Sequence, residues 1–281
     1  MNKSSSLPPR AGKDSSLPIS VGEEAISLFA FVDPAEIAKQ QLTDHAKEQR
    51  LALHCVGSIA AIVGAVPVAD FCGVEAERNL GDVAWLTPRV RRHAELLEWA
   101  MQSSPVFPVP FGTLYTSLDS LTAFMNAHES TIAGFLRAVT DKEEWELQAA
   151  AHFDSPDILD QMACKAWPNW RNLSKGARYM RLRRDKDALL DFGRAEAVAL
   201  VRELVAELDQ FTTDLRRKDP PRRPEPRGSE PIARYALLVA KTDVAAMKER
   251  AQEIASRAAR QHVAVALSGP WPPFSFRPDL K

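Results

Sequence analysis

The sequence predicts an α+β protein in which short buried strands are mixed with amphipathic helices. The chain has 281 residues, of which 45% are hydrophobic and 26% are charged, and this is the composition of a soluble globular protein. At this length it forms one large domain or two small ones. Short apolar runs alternate with helices that have recognisable caps, and the chain ends in a β-α-β pattern.

The charge balance argues against two classes of protein, and the cysteines indicate the cellular compartment. The formal net charge is −1, whereas a nucleic-acid binder or a polybasic membrane-surface protein carries a basic surplus. Cys55, Cys72 and Cys164 fit no disulfide framework or zinc pattern, which favours reduced thiols in the cytoplasm. Residues 1–22 lack the apolar stretch of a signal peptide and are predicted to be a disordered arm. The most apolar run, residues 56–69, is too short to span a bilayer.

Two buried strand regions open the ordered part of the chain. Residues 26–32 form an apolar run that predicts a strand buried on both faces. Asp33 follows as the cap of a helix that begins at Pro34. Residues 53–63 predict a second strand or a pair of strands, with Gly57 as the bend.

A loop, two helices and a proline-rich segment follow. Residues 70–82 predict a loop with a short irregular piece. Thr87 and Pro88 predict the start of one helix, and Ser117 predicts the cap of the next. Between these helices, the prolines of residues 105–113 exclude both a helix and a central strand, and predict an extended, partly buried segment.

One long helix, or a helix with one break, is predicted over residues 174–218. Apolar residues from Ala197 to Leu215 repeat at heptad spacing, and Gly193 is the expected weak point. This seam is either an internal packing face or a short intermolecular coiled coil. Residues 219–230 are rich in proline and charge, and predict an extended linker.

The remaining strands lie around this helix. Residues 144–153 predict one strand, and residues 232–240, 243–260 and 263–267 predict a strand, a helix capped by Asp243 and a strand. The tail, residues 268–281, has two interpretations: a strap over the sheet edge, or a recognition surface with aromatic anchors. If Trp271 is a core strap, Trp271→Ala costs about 3–5 kcal/mol of stability.

No motif predicts catalysis, nucleotide binding or a metal. GxxxxGK[ST], GxGxxG, HExxH and GxSxG are absent, so no catalytic, cofactor-binding or metal-ligating residue is assigned. Three features each have a functional and a structural interpretation. Residues 141–144 are an acid–base pair or a solvated turn, and Cys72 is a nucleophile or a small buried thiol. Residues 175–184 contact a phosphate or an acidic partner, or are a solvated helix face.

Several segments together resemble the gas vesicle accessory proteins of the GvpF/GvpL family. Residues 267–276 read L-S-G-P-W-P-P-F-S-F, which is similar to the family terminus L-T/S-G-P-W-P-P-Y/F-S-F. Residues 105–115 resemble P-V-L-P-x-R-F-G-T-x-F, and residues 144–147 resemble the strand E-W-x-V-K. The chain departs from the pattern at Pro110, where the family has Arg, and at residues 146–148, where it has Gly-Val-Lys.

The resemblance implies a two-domain α+β protein. Its N-terminal domain, residues 23–142, has a mixed sheet with helices, and its C-terminal domain, residues 143–281, is ferredoxin-like and contains the long helix. It also implies an accessory protein of gas vesicle assembly, located in the cytoplasm and at the vesicle. Such a protein binds the hydrophobic shell protein and other accessory proteins, has no enzymatic activity and needs no cofactor. A small-molecule-binding or catalytic α+β protein is the alternative.

These implications single out candidate residues for partner binding or for a structural tail. They are Trp271, Pro272, Pro273, Phe274, Phe276, Phe107 and Phe111.

Overall fold

The computed structural model describes residues 23–37, 51–153, 155–220 and 229–280. The chain divides into two compact units. Unit 1 comprises Met1–Thr140 and Arg277–Lys281, and unit 2 comprises Asp141–Phe276. The arm predicted over residues 1–22 lies outside the described residues.

Unit 1 is built on an antiparallel sheet. Its described strands are β1 (Glu24–Val32), β2 (Leu51–Val56), β3 (Ile59–Pro67), β4 (Val106–Pro108) and β5 (Leu114–Tyr115). Its described helices are α1 (Pro34–Ile37), α2 (Val68–Phe71), α3 (Val74–Gly81), α4 (Val83–Met101) and α5 (Leu118–Val139). The sheet order is β2-β3-β1-β4, and β5 also pairs with β1.

The central strand β1 is buried on both faces, as its apolar run predicts. Phe29 packs in a core with Leu96 and Leu97 of α4. On the other face, Phe107 makes edge-to-face contacts with Phe31 and with the ring of Phe135 on α5. Because helices cover both faces of the strand, its residues do not alternate between polar and apolar.

Local geometry confirms two of the predicted turns and caps in unit 1. Gly57 has a φ of 55° at the bend between β2 and β3, a conformation that glycine adopts without strain. Ser117 caps α5, and its Oγ accepts from the backbone N–H of Ser120 at 3.1 Å.

The start of α4 differs from the prediction. The cap is Asp82, whose carboxylate accepts from the N–H of Ala84 at 2.9 Å, and Thr87 and Pro88 lie inside the helix. An acidic cap one turn upstream satisfies the free N–H groups before the proline is reached. The segment predicted as a loop over residues 70–82 also contains helical turns, because α3 occupies most of it.

Unit 2 has the ferredoxin-like arrangement that the resemblance implies. Its strands are β6 (Lys142–His152), β7 (Thr212–Lys218), β8 (Ser229–Ala240) and β9 (Val263–Trp271), and its helices are α6 (Pro156–Ala166), α7 (Lys175–Ala206) and α8 (Val244–Ala259). Short 3-10 turns cover Trp170–Asn172 and Asp209–Phe211. The sheet order is β7-β8-β6-β9, and every pair is antiparallel. This is the β-α-β-β-α-β topology, and β6 lies between β8 and β9.

The prediction of one helix over residues 174–218 is wrong at its end. Helix α7 ends at Ala206, and residues 212–218 form the edge strand β7. The apolar stripe is real, but only its first part is helical. Val201, Leu204 and Leu208 are buried in the core of unit 2, and Leu215 packs against the same core from the strand. The seam is therefore an internal packing face, and it offers no surface for an intermolecular coiled coil.

Two further predictions about this region are corrected. Helix α7 is kinked at Asp185, with φ −111° and ψ 20°, and not at Gly193. Gly193 marks a close approach of helices, because a Cβ there would lie 2.2 Å from Cε of Met162 on α6. The linker predicted over residues 219–230 is shorter than expected, since Ser229 and Glu230 already belong to β8. Residues 221–228 of that linker lie outside the described residues.

Two features are absent from the described part of the chain. None of its helices combines the length and the hydropathy needed to cross a membrane. Within the same residues, no group of three or more His, Cys, Asp or Glu side chains is arranged to hold a metal ion.

Candidate interaction site

The aromatic tail of unit 2 follows directly from the end of strand β9. The strand was predicted to end at Leu267, but it continues to Trp271, and Ser268 pairs with Glu146 of β6. Gly269 has a φ of 144°, and a Cβ there would lie 2.9 Å from the ring of Trp145 and 3.0 Å from a carbonyl oxygen. Only glycine fits this position without displacing the sheet.

The residues that follow include both buried and exposed side chains. We call Trp271–Phe276 the Pro-aromatic segment. Pro272 and Pro273 are buried and Phe276 is 6% exposed, whereas Trp271 is 46% exposed and Phe274 is 38% exposed. Both interpretations of the tail thus have a counterpart: part of the segment packs inward, and two large aromatic side chains face solvent.

A buried carboxylate fixes the segment to the sheet. Glu144 of β6 accepts from the N–H of Ser275 at 3.0 Å and from its hydroxyl at 2.5 Å. Lys218 of β7 donates to the same hydroxyl at 2.8 Å, and Arg216 donates to the carbonyl oxygen of Ser275 at 2.8 Å. The guanidinium of Arg216 also lies 5.1 Å from the ring centre of Phe276. Strands β6 and β7 therefore hold the segment together.

The alternation of β6 explains the position of this carboxylate. Trp145 and Leu147 point into the helix-covered core, so Glu144 and Glu146 point to the opposite face of the sheet. Glu146 accepts from Arg234 at 2.6 Å and from Gln148 at 2.5 Å. Both glutamates are buried, at 4% and 7% exposure, and their charge is compensated by cations of the neighbouring strands.

The two glutamates differ in pKa because their partners differ. Burial raises the pKa of Glu144, although the hydrogen bonds from Ser275 and the charge of Lys218 act against it. Burial also opposes ionisation of Glu146, but the hydrogen bonds from Arg234 and Gln148 and the charges of Arg234 and Lys218 outweigh it. The pKa of Glu146 is therefore lowered.

This geometry presents aromatic side chains on a rigid base. The indole N–H of Trp271 donates to Ser268 Oγ at 3.2 Å, which orients the exposed ring. The carboxylates beneath the segment are occupied by donors from the same chain. An ordered, exposed tryptophan–phenylalanine pair is typical of a protein–protein contact, because large rigid side chains lose little entropy on binding.

The two candidate phenylalanines of unit 1 have a different environment. Phe107 is 1% exposed and is a core residue between Phe31 and Phe135. Phe111 is half-buried, with its ring 5.8 Å from that of His93. Neither residue resembles the exposed pair of the Pro-aromatic segment.

His93 predicts a pH dependence for unit 1. Its ring is buried, Nε2 lies 2.9 Å from the carbonyl oxygen of Val109, and burial lowers its pKa from 6.5 against the effect of that hydrogen bond. The unfolded chain therefore binds a proton more readily than the folded one, and stability falls as the pH drops below 6.5. We expect a urea midpoint that decreases from about pH 7.5 to about 5.5 in the wild type.

The matched variant is His93→Gln, which keeps a donor for Val109 but does not titrate. We expect this variant to be somewhat less stable at neutral pH and to lose that part of the pH slope, which is at most about 1.4 kcal/mol per pH unit. An equal slope in both proteins would contradict the assignment.

The residues that hold the segment were not recognised as such from the sequence. They are Glu144, Arg216, Lys218 and Ser275. The neighbouring pair of Glu146 and Arg234 was not recognised either. Glu144 was predicted both as the last residue of an acidic turn and as the first residue of a strand, and it lies within β6 and is buried. A usable signal was present: acids alternate with apolar residues on β6, and β7 ends in three consecutive bases.

Comparisons with known proteins agree on one family. The family model "Gas vesicle synthesis protein GvpL/GvpF" matches residues 25–278. Gas vesicle protein L of Streptomyces sp. (strain CB03234) is 25% identical over 226 residues, which are 78% of this chain and 80% of that protein. Gas vesicle protein L2 of Halobacterium salinarum is 36% identical over 104 residues, which are 37% of this chain and only 34% of that protein.

Solved structures show the same fold. The crystal structure of gas vesicle protein GvpF from Anabaena sp. PCC7120 aligns with a TM-score of 0.64 at 13% identity, covering 91% of this chain and 97% of that one. GvpF from Microcystis aeruginosa aligns with a TM-score of 0.60 at 11% identity, covering 91% and 99%.

Proposed function

Because the chain belongs to the gas vesicle synthesis protein GvpL/GvpF family, its role lies with gas vesicles, and we propose that it assists assembly of their shell. In this proposal it binds the hydrophobic shell protein, and other accessory proteins, before the shell protein is incorporated. The proposed location is the gas vesicle and the cytoplasm in which it forms.

The exposed aromatic pair is the observation that carries the proposal. Trp271 and Phe274 are exposed by 46% and 38%, although Gly269 and Ser275 hold the backbone on both sides of them in place. Large apolar side chains that are ordered and exposed match an apolar partner, because their burial in the complex removes apolar area from water. A hydrophobic shell subunit has the corresponding surface.

We also propose that the protein has no enzymatic activity. The buried carboxylates Glu144 and Glu146 are the strongest candidates for acid–base chemistry among the described residues. Their oxygens are bound by Ser275, Arg234 and Gln148 of the same chain. The bonds to Glu144 attach the tail, and those to Glu146 link β6 to Arg234 of β8. Both carboxylates therefore have structural partners, which supports an interaction role over the catalytic alternative.

The test is complementation in a vesicle-forming host from which the gene has been deleted. We expect the Trp271→Ala/Phe274→Ala variant to restore few buoyant vesicles at wild-type protein level. A matched control removes two exposed apolar side chains of unit 1, Leu80→Ala/Val83→Ala, which are exposed by 49% and 74%. Full buoyancy with the first variant would refute a role for the aromatic pair, and normal vesicles in the deletion strain would refute the assembly function.

A further inference from the structure

Unit 2 has a second surface that the Pro-aromatic segment does not include. From Gln161 to Arg184 the chain has no Asp or Glu, although the protein as a whole has a net charge of −1. The same stretch carries seven basic residues: Lys165, Arg171, Lys175, Arg178, Arg181, Arg183 and Arg184. Such separation of charge produces a local positive field on a nearly neutral protein.

Tryptophan rings hold two of these guanidinium groups in place. The guanidinium carbon of Arg178 lies 5.6 Å from the ring centre of Trp170, and that of Arg181 lies 4.5 Å from the ring centre of Trp167. Trp170 is 1% exposed, and its N–H donates to Asp160 at 2.7 Å, so the platform is anchored in the core. Guanidinium groups stacked in this way lose little freedom when they bind a carboxylate.

Apolar groups are exposed beside these charges. Tyr179 and Met180 on α7 are both 63% exposed. A shallow depression of about 670 Å³ lies next to them, and its lining consists of Leu173, Ala177, Met180, Arg181, Arg183 and Arg184. The surface therefore combines an apolar hollow with a basic rim, which is the usual anatomy of a contact site.

Internal partners neutralise part of this surface, since Asp160 lies 3.8 Å from Arg178. Asp185 pairs with Arg184 at 2.8 Å and lies 3.8 Å from Arg181. Lys175 and Arg183 are exposed, and neither has an ion-pair partner within the described ranges. Their charges are therefore available to another molecule.

We propose that this basic surface, residues 167–184, docks an acidic amphipathic helix of a partner protein. An apolar side chain of that helix enters the hollow beside Met180, and carboxylates on its flanks pair with Lys175 and Arg183. The inference does not depend on the proposed role of the aromatic tail.

The composition of the surface favours a protein over the other polyanions. A nucleic-acid binder carries a basic surplus over the whole domain, whereas this protein has a net charge of −1. A membrane-surface helix presents a broad apolar face, whereas Tyr179 and Met180 are the large apolar side chains exposed on the described part of α7. A helix with one or two apolar anchors and flanking acids fits both features.

The basic surface and the Pro-aromatic segment lie on opposite sides of unit 2. The segment from Trp167 to Arg184 belongs to the helical layer of unit 2, and the Pro-aromatic segment lies on the opposite face of the sheet with Glu144. A partner on each face is therefore sterically compatible, and unit 2 is suited to bridge two proteins.

The test measures binding of a defined probe to the full chain. The probe is a fluorescein-labelled helical peptide of about 18 residues, five helical turns, with Leu on one face and Glu on the other. At about 50 mM salt we expect Lys175→Glu/Arg183→Glu to weaken binding by about tenfold or more. Met180→Gln should weaken it by a smaller factor. The matched control, Arg202→Glu/Arg217→Glu, makes the same change of charge at two exposed residues of unit 2 outside the surface.

Melting temperatures establish that each variant is folded, and Lys175→Gln/Arg183→Gln replaces the charge reversal if that variant is not. Equal affinity of the peptide for the wild type and the charge-altered variant would overturn the proposal. The proposal would also be overturned if anionic phosphatidylglycerol vesicles or a poly(U) oligonucleotide bind through Lys175 and Arg183 and the peptide does not bind.

Discussion

Replacing Phe276 with alanine is expected to lower the free energy of unfolding by about 3–5 kcal/mol. The ring is 6% exposed and lies beneath the guanidinium of Arg216. Its truncation removes buried apolar area and leaves a cavity. Unfolding is measured by urea titration with tryptophan fluorescence as the signal. The wild type and the variant are compared at equal m-value.

The control for this prediction is Trp271→Ala. The sequence alone assigned the large cost to this residue if the tail is a core strap, but the indole is 46% exposed and its N–H bond is to Ser268 on the surface. We therefore expect a cost below about 1 kcal/mol. A larger loss from Trp271→Ala than from Phe276→Ala would show that the roles of the two rings are reversed.

Arg234→Met is expected to be the second severe substitution, with a loss of about 3 kcal/mol. The side chain of Glu146 is 9% exposed, and Arg234 donates to it at 2.6 Å. Without this guanidinium the buried carboxylate keeps only the donor of Gln148 and the more distant ammonium of Lys218 at 3.7 Å. Desolvation of the carboxylate is then poorly compensated, which is the usual cause of large losses from a broken buried pair.

A double-mutant cycle separates this effect from lost packing. Because Gln carries no charge, Glu146→Gln combined with Arg234→Met should cost clearly less than Arg234→Met alone. In the wild type, Glu146 has a pKa below 4.5, so its stabilising contribution is present above that pH and is lost as the pH falls through the lowered pKa. The difference between wild type and Arg234→Met should therefore shrink in acid. A constant difference across pH would mean that packing, and not charge, dominates.

Local rules predicted most elements of the fold because their signals are short-range. The buried run of β1, the Ser117 cap and the bend at Gly57 each follow from a few adjacent residues. The end of α7 was missed because Leu215 continues the helical spacing by coincidence. Its burial comes from β7, whose partner β8 is distant in sequence, and this pairing is not visible in a heptad pattern.

The candidate site was predicted only in part for the same reason. The aromatic residues of the tail are conspicuous in the sequence, but their exposure depends on how Glu144 binds Ser275, a contact across 131 positions. Glu146, where the chain departs from the family pattern, pairs with Arg234 across 88 positions. Long-range pairs of this kind are set by strand register, which one sequence does not specify.

The central claim is that the Pro-aromatic segment binds the shell protein through Trp271 and Phe274, and co-purification tests it most directly. The tagged protein and its Trp271→Ala/Phe274→Ala variant are expressed in vesicle-producing cells, and the shell protein recovered with each is quantified beside the Leu80→Ala/Val83→Ala control. We expect recovery to fall about tenfold or more for the aromatic variant and to stay unchanged for the control, at equal melting temperature. Undiminished recovery of the shell protein with a folded aromatic variant would contradict the claim.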